Sequence, residues 1–311
     1  MGPDELVRLS LAASRYYREG KSRVEIAEEL GVSRFKVARM LEKAQDLGIV
    51  RIEIDIPTAV DLELSAGLRS KFGLNRAFAV ETPSGSSEVV QNSIGRVAAE
   101  LLQEIVTSDD LLGLTAGRTL DAMTRHLGRL PYCDVVALGG VAGPGAEHGV
   151  EIIRRVGQVS GGRTYPIFAP LFVASADTAR ALRGDRGIAD AYARFPRVTI
   201  GVVAVGSWDP PASQLYDAAD EAGIADALIA EGVIGEVGAT LFDRHGRIIS
   251  SIDDRSMAIT ATELRAIPEV IAVAGGEAKT DAVAAAIDSG LVKSLVTDVH
   301  LARRLMDRPV A

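Results

Sequence analysis

The chain has 311 residues, 34 of them Lys or Arg and 42 Asp or Glu, a formal net charge of −8, and 47% apolar residues. That apolar fraction excludes wholesale disorder, and the single cysteine, Cys133, excludes an internal disulfide framework and a Cys-rich zinc site. No apolar run approaches the roughly 20 residues of a membrane span, and MGPDELVRLS carries no signal-peptide core, so a soluble, cytoplasmic protein is expected.

The first 56 residues hold ten basic and ten acidic side chains, so the whole net charge lies in residues 57–311. Leu6, Leu9, Ala13 and Tyr16 recur at helical spacing. Ser22, with Glu25 three residues on, forms a capping box for a second helix whose buried side is Ile26, Ala27 and Leu30. Gly31 suits the left-handed residue that ends it. Ser33 caps a third helix, on which Val37, Met40, Leu41 and Ala44 make an apolar stripe. Gly48 stops that helix, and Val50, Ile52, Ile54 and Ile56 alternate with charged residues as a half-buried strand. A break is expected near Pro57.

A small residue at Ala27, Gly31 at the bend and apolar Val32, Val37 and Met40 are what a helix-turn-helix requires. An ordinary αα-hairpin uses similar glycine turns, but the opposite face of the third helix carries Lys36, Arg39, Lys43 and Phe35. Cations beside an exposed aromatic suit a major-groove recognition helix, where an apolar group meets a thymine methyl. Arg34, Phe35, Lys36 and Arg39, at the helix N-terminal half, are the candidates for base edges, and the capping Ser33 is a further candidate for DNA contact. Lys43, Arg15, Arg18, Lys21 and Arg23 are candidates for phosphate contacts, which position without specifying. One such domain reads few base pairs, so homo-oligomeric assembly is expected.

Residues 57–311 alternate short apolar strands with helices. The expected strands are 76–81, 111–115, 134–139, 167–174, 198–205, 270–274 and 294–297, and the expected helices 87–106, 119–127, 176–181, 217–230, 280–289 and 299–305. Apolar strands separated by helices predict a parallel sheet covered on both faces, hence a doubly wound α/β domain with ligands at the carboxyl ends of the strands. Thr115, Ala116, Gly117, Arg118 and Thr119 lead from one strand into a helix, an arrangement suited to an anion. Gly139 and Gly140, Gly206 with Ser207, and Gly275, Gly276 and Lys279 occupy three more strand exits. None matches a Walker A or GxGxxG fingerprint, so no nucleotide cofactor is expected. His126, His148 and His300 lack metal-ligand spacing, His148 falling in the Gly/Pro-rich loop 140–149. Glu236, Asp243 and His245 lie close enough to suggest an isomerase acid and base. Asp243-Arg244-His245-Gly246 also reads as a hairpin turn, and Cys133 reads as a packing residue.

The motifs GVSRFKVARMLEKAQDLGIV, GLTAGRTL, LGG at 138–140, EGVIGEVGATLFDRHG at 231–246 and VAGGEAKTDAVAAAIDSGLVKSLVTDVHLARRLM at 273–306 together resemble the SorC family of bacterial transcriptional regulators, with its DeoR-type and central-glycolytic-gene members. The resemblance implies an N-terminal winged-type helix-turn-helix joined to a Rossmann-like, sugar-phosphate-isomerase-type effector domain. It implies operator DNA and a sugar or sugar-phosphate effector as partners, assembly as dimers or tetramers, and no catalysis, metal or membrane. It places a phosphate at Thr115–Thr119, ligand backbone contacts at Gly139 and Gly140, a hydroxyl acceptor at Glu236 and a ligand lysine at Lys279. The sequence departs from the family at Ala116, where a tryptophan is frequent.

Overall fold

The structure is a computed structural model that describes residues 2–50, 60–83, 86–142 and 147–309. Two compact units divide the chain, Met1–Pro57 and Thr58–Ala311. The expected strand of residues 50–56 lies, after Val50, outside the described residues, as does the break at Pro57.

The first unit is α1 (Pro3–Tyr17), α2 (Arg23–Leu30) and α3 (Arg34–Asp46). Its helix ends follow from local chemistry. Ser22 Oγ accepts from the Glu25 N–H at 3.3 Å while Glu25 Oε2 accepts from the Ser22 N–H at 2.8 Å, so two orphan donors of α2 are satisfied reciprocally. Gly31 closes α2 at φ +63°, and Ser33 Oγ accepts from the Lys36 N–H at 3.2 Å to open α3. Leu9, Ala12, Ala13, Ile26, Ala27, Val37, Leu41 and Ala44 form the core, with Met40 half-buried at its edge. Leu6, expected on the buried stripe of α1, is 42% exposed.

The second unit opens with β1 (Val60–Asp61), α4 (Leu62–Phe72), β2 (Arg76–Val80), α5 (Ser87–Ile105), β3 (Leu111–Leu114), α6 (Arg118–His126), β4 (Asp134–Ala137), α7 (Glu147–Ser160) and β5 (Thr164–Tyr165). It continues through α8 (Ala176–Arg183), α9 (Arg186–Tyr192), β6 (Ile200–Trp208), β7 (Pro211–Ala212), α10 (Gln214–Glu221), α11 (Ala225–Ala230), β8 (Gly235–Val237), β9 (Thr240–Phe242) and β10 (Ile248–Ile249). It ends with α12 (Ala261–Ala266), β11 (Glu269–Val273), α13 (Thr280–Asp288), β12 (Ser294–Asp298) and α14 (Val299–Asp307).

The main sheet runs β1-β2-β12-β11-β6-β3-β4-β5, parallel except for β1. From β3 the chain winds outward to β4 and β5, then returns to lay β6 on the other side of β3 and winds away through β11 and β12. The reversal between β3 and β6 opens a crevice at their carboxyl ends. Leu112, Leu114, Val135, Val136, Val202, Val203, Ile271 and Leu295 are all buried, as a sheet covered by helices on both faces requires. The nine-residue β6 overruns the sheet, and its end pairs antiparallel with β7 and β8, which with β9 and β10 make a small second sheet.

Three expectations need correction. The segment Ile167–Ala174 is not a sheet strand. The edge strand is Thr164–Tyr165, and beyond it only isolated bridges form, at Pro170 and Phe172. Pro166 and Pro170 have no N–H to give to a ladder. The single helix expected over 217–230 is two, α10 and α11, parted by Gly223 at φ +71°. The loop placed at residues 140–149 runs into α7, which buries Ile152, Ile153 and Val156.

Candidate functional site

A cleft of about 390 Å³ lies where the carboxyl ends of β3, β6 and β11 meet. Thr115, Ala116, Gly117, Arg118, Thr119, Gly139, Gly140, Gly206, Glu236, Gly275, Gly276 and Lys279 all border it. Ser87 and Gln91 of α5, Gly238, and the segment Pro211–Leu215 border it as well, and no local motif marked them in the sequence.

Thr115 begins the first exit. Its Oγ1 accepts from the Ala204 N–H at 3.1 Å, tying the end of β3 to β6. Gly117 precedes α6, whose N-terminus has no side-chain cap, so the first N–H groups of that helix are available to a ligand. Arg118 is exposed and has no ion-pair partner among the described residues. The glycines of the other exits supply space rather than donors. The Gly140 N–H already donates to Met257 O at 2.8 Å, and a Cβ at Gly140 would stand 2.3 Å from Ala169 O. The Gly276 N–H donates to Asp298 Oδ2 at 2.7 Å. Asp298 is buried at the end of β12, and its Oδ1 accepts from the N–H groups of His300 and Leu301 at 3.0 and 3.1 Å, capping α14. This carboxylate fixes the loop that ends in Lys279.

Glu236 sits beneath the cleft, 6% exposed. Its Oε1 accepts from Ser213 Oγ at 2.5 Å, and its Oε2 accepts from the indole N–H of Trp208. Ser213 in turn caps α10, accepting from the N–H groups of Leu215 and Tyr216 at 3.0 and 3.1 Å. A Cβ at Gly206 would fall 1.7 Å from Glu236 Oε1, so glycine there makes the room for this carboxyl. Burial pushes the Glu236 carboxyl up to about 7, against the pull of its two donors and of Lys279. Lys279 Nζ donates to Val205 O at 2.7 Å, and burial lowers the pKa of that ammonium while Glu236 holds it up.

Asp243 and His245 do not border the cleft. They form the turn between β9 and β10, where Asp243 Oδ1 accepts from the His245 and Arg247 N–H groups at 2.9 and 3.0 Å and Gly246 takes φ +73°. Cys133 is buried in the core, where burial raises its thiol pKa. No group of three or more His, Cys, Asp or Glu is placed to hold a metal among the described residues. No helix of the described residues is long and apolar enough to cross a membrane.

In the first unit, Arg34, Phe35, Lys36 and Arg39 are all exposed on α3, with Phe35 and Arg39 on the side opposite the buried Val37, Leu41 and Ala44. Phe35 is 65% exposed, with the Arg34 guanidinium 4.9 Å from its ring centroid. The basic residues divide into two groups. Lys43 pairs with Glu5 at 2.5 Å, Arg15 with Glu29 at 3.3 Å and with Glu19, and Lys21 with Glu29. Arg18, Arg23, Arg34, Lys36 and Arg39 have no carboxylate partner among the described residues, and Arg23 stacks 5.8 Å from the Tyr16 ring centroid. Ser33 Oγ accepts one bond as a helix cap, which leaves its proton and a second lone pair.

The fold and this cleft define a class: residues 57–307 match the family described as "Putative sugar-binding domain", and the chain belongs to it. The Deoxyribonucleoside regulator of Bacillus subtilis is 29% identical over 315 residues, covering 97% of this chain and 98% of that protein. Transcriptional regulator LsrR of Escherichia coli K12 is 27% identical over 299 residues, covering 94% of this chain and 92% of that protein. The crystal structure of the full-length sorbitol operon regulator SorC from Klebsiella pneumoniae superposes with a TM-score of 0.73 at 20% identity, covering 98% of this chain and all of that one. The chain therefore shares the fold of that full-length structure.

Proposed function

We propose that the chain is a sequence-specific DNA-binding transcriptional regulator of carbohydrate metabolism, controlled by a phosphorylated sugar or related metabolite. The observation that carries the effector half is a convergence. Helices α5 and α6 both begin at the cleft, neither with a side-chain cap, and the side chains of Arg118 and Lys279 stand beside them. Uncapped helix N-termini and cations favour a multiply charged anion. The phosphate belongs against residues 116–119, where N–H groups are free. The glycines at 139, 140 and 206 leave space for the sugar. Ser87, Gln91 and Gln214 supply hydroxyl partners; Glu236, with both oxygens engaged, shapes the floor.

The DNA half rests on Arg34, Phe35, Lys36 and Arg39 for base edges, and on Arg18 and Arg23 for phosphates, with Lys43 released from Glu5 or left aside. Homo-oligomerisation, as a dimer or tetramer, pairs the recognition helices, and the protein acts in the cytoplasm, where its operator lies. A regulator fits better than an isomerase, because Asp243 and His245 serve a turn.

A thermal-shift screen of sugar phosphates against the matching free sugars and polyols tests the effector assignment. Ligand at about a hundred times its Kd adds about 2.7 kcal/mol to the stability of the form that binds it. Stabilisation by phosphorylated compounds is expected; stabilisation by free polyols alone would refute the phosphate assignment.

A further inference from the structure

Glu236 is the one acid among the described residues bordering a cleft otherwise lined by cations, helix N-termini and neutral groups. It is held from two sides, by Trp208 of β6 and by Ser213 at the head of α10. The charged groups that bear on it are Lys279, from the turn ahead of α13, which favours the ionised form, and Asp217 of α10, which opposes it. Arg118 of α6 faces Lys279 in turn. Among the described residues, no histidine side chain borders the cleft.

We propose that this cleft takes its anion together with one proton, received by the carboxylate of Glu236. The proposal rests on the reading that the cleft binds an anion, and extends it to how binding is regulated. An anion placed against Arg118 and Lys279 draws on the cationic charge that favours ionised Glu236 and adds negative charge above a buried carboxylate. Protonation removes that repulsion, and the neutral carboxyl still accepts from the Trp208 indole through its carbonyl oxygen. Burial already brings the empty site near neutrality, with the carboxyl at about 7. Bound anion moves it higher. The sign follows by linkage: affinity is constant below the titration of the empty site and falls as pH rises through it, by at most about tenfold per pH unit for one proton. Anion occupancy then reports cytoplasmic acidification as well as metabolite concentration.

Trp208 is the only tryptophan of the chain, and it bonds to the titrating group, so its emission is a built-in probe. The experiment titrates the full chain with sulfate, whose two charges do not change across the range, from about pH 6.5 to about pH 8.5, following Trp208 emission. Wild-type affinity for sulfate is expected to fall at least about fivefold across that range. Glu236→Gln, which keeps an acceptor for the indole, is expected to flatten the dependence to within about twofold. Calorimetry at about pH 7.5 in buffers of different ionisation heat gives a second measurement on wild type alone, with uptake of part of a proton per sulfate expected. Sulfate binding with no pH dependence and no proton uptake overturns the linkage and leaves the anion site standing. The same pH dependence in Glu236→Gln overturns the assignment to Glu236. No response to sulfate at any pH overturns the anion reading, and the linkage with it.

Discussion

Two residues under the cleft depend on each other's atoms. Glu236 occupies the volume that any side chain at position 206 would need, since a Cβ there falls 1.7 Å from Oε1. Gly206→Ala is therefore expected to displace the carboxyl, break the bonds from Trp208 and Ser213, and cost about 1–3 kcal/mol as overpacking. Urea unfolding followed by Trp208 emission measures this, and an unchanged midpoint with unchanged native emission would contradict the account. On α3 the contrast is between Arg39 and Ser33. Arg39→Ala is expected to weaken operator binding by about 1–3 kcal/mol and relax sequence preference, as loss of a base-edge contact does. Ser33→Ala is expected to act through stability, costing about 1 kcal/mol as the α3 cap is lost. Operator titrations on matched and mismatched duplexes, beside thermal melts, separate the two.

Among the elements, Asp298 joins two that no local motif connects. One oxygen caps α14 and the other holds the Gly276 N–H, and hence the loop carrying Lys279. A serine caps a helix as well as an aspartate does but is too short to reach that loop. Asp298→Ser is expected to leave the melting temperature within a few degrees of wild type and to weaken sulfate or sugar-phosphate binding about tenfold. Equal loss of both would make Asp298 a purely structural residue. The same contrast explains what could be read in advance. The helix-turn-helix was legible because its signals are local: the Ser22–Glu25 box, Gly31 and Ser33 each act within four residues. The strand exits were legible as glycine and hydroxyl motifs, and the residues they named, apart from the buried Ser207, border one cleft. Asp298 and the Pro211–Leu215 segment were not, because they reach the cleft only through the sheet order and the overrun of β6. The edge strand stops at Tyr165 because Pro166 and Pro170 have no N–H to give to a ladder, a limit that the apolar character of residues 167–174 does not show. The two- and three-residue strands β7 to β10 carry too little periodicity to register.

At the scale of the whole molecule, the proposed function assigns operator DNA to the exposed cationic helix α3 of one unit and an anionic effector to the cleft of the other. It requires their ligands to be thermodynamically linked. An effector changes operator affinity only by its differential affinity for the states that do and do not hold DNA, and operator DNA must change effector affinity by the same factor. The balance of charge suits this division: the first 56 residues are neutral overall with a cationic face, and the acidic remainder, carrying the whole −8, adds no general attraction for DNA. The most direct measurement is the affinity of the full chain for its operator, by fluorescence anisotropy at fixed salt, with and without each compound that stabilises the cleft in the thermal-shift screen. At least one phosphorylated sugar is expected to change operator affinity by about 5- to 150-fold, the usual range of such couplings, with the effect lost in Lys279→Ala while DNA binding persists. A protein that binds the sugar phosphate and the operator, yet holds each with the same affinity whether or not the other is present, would contradict the account.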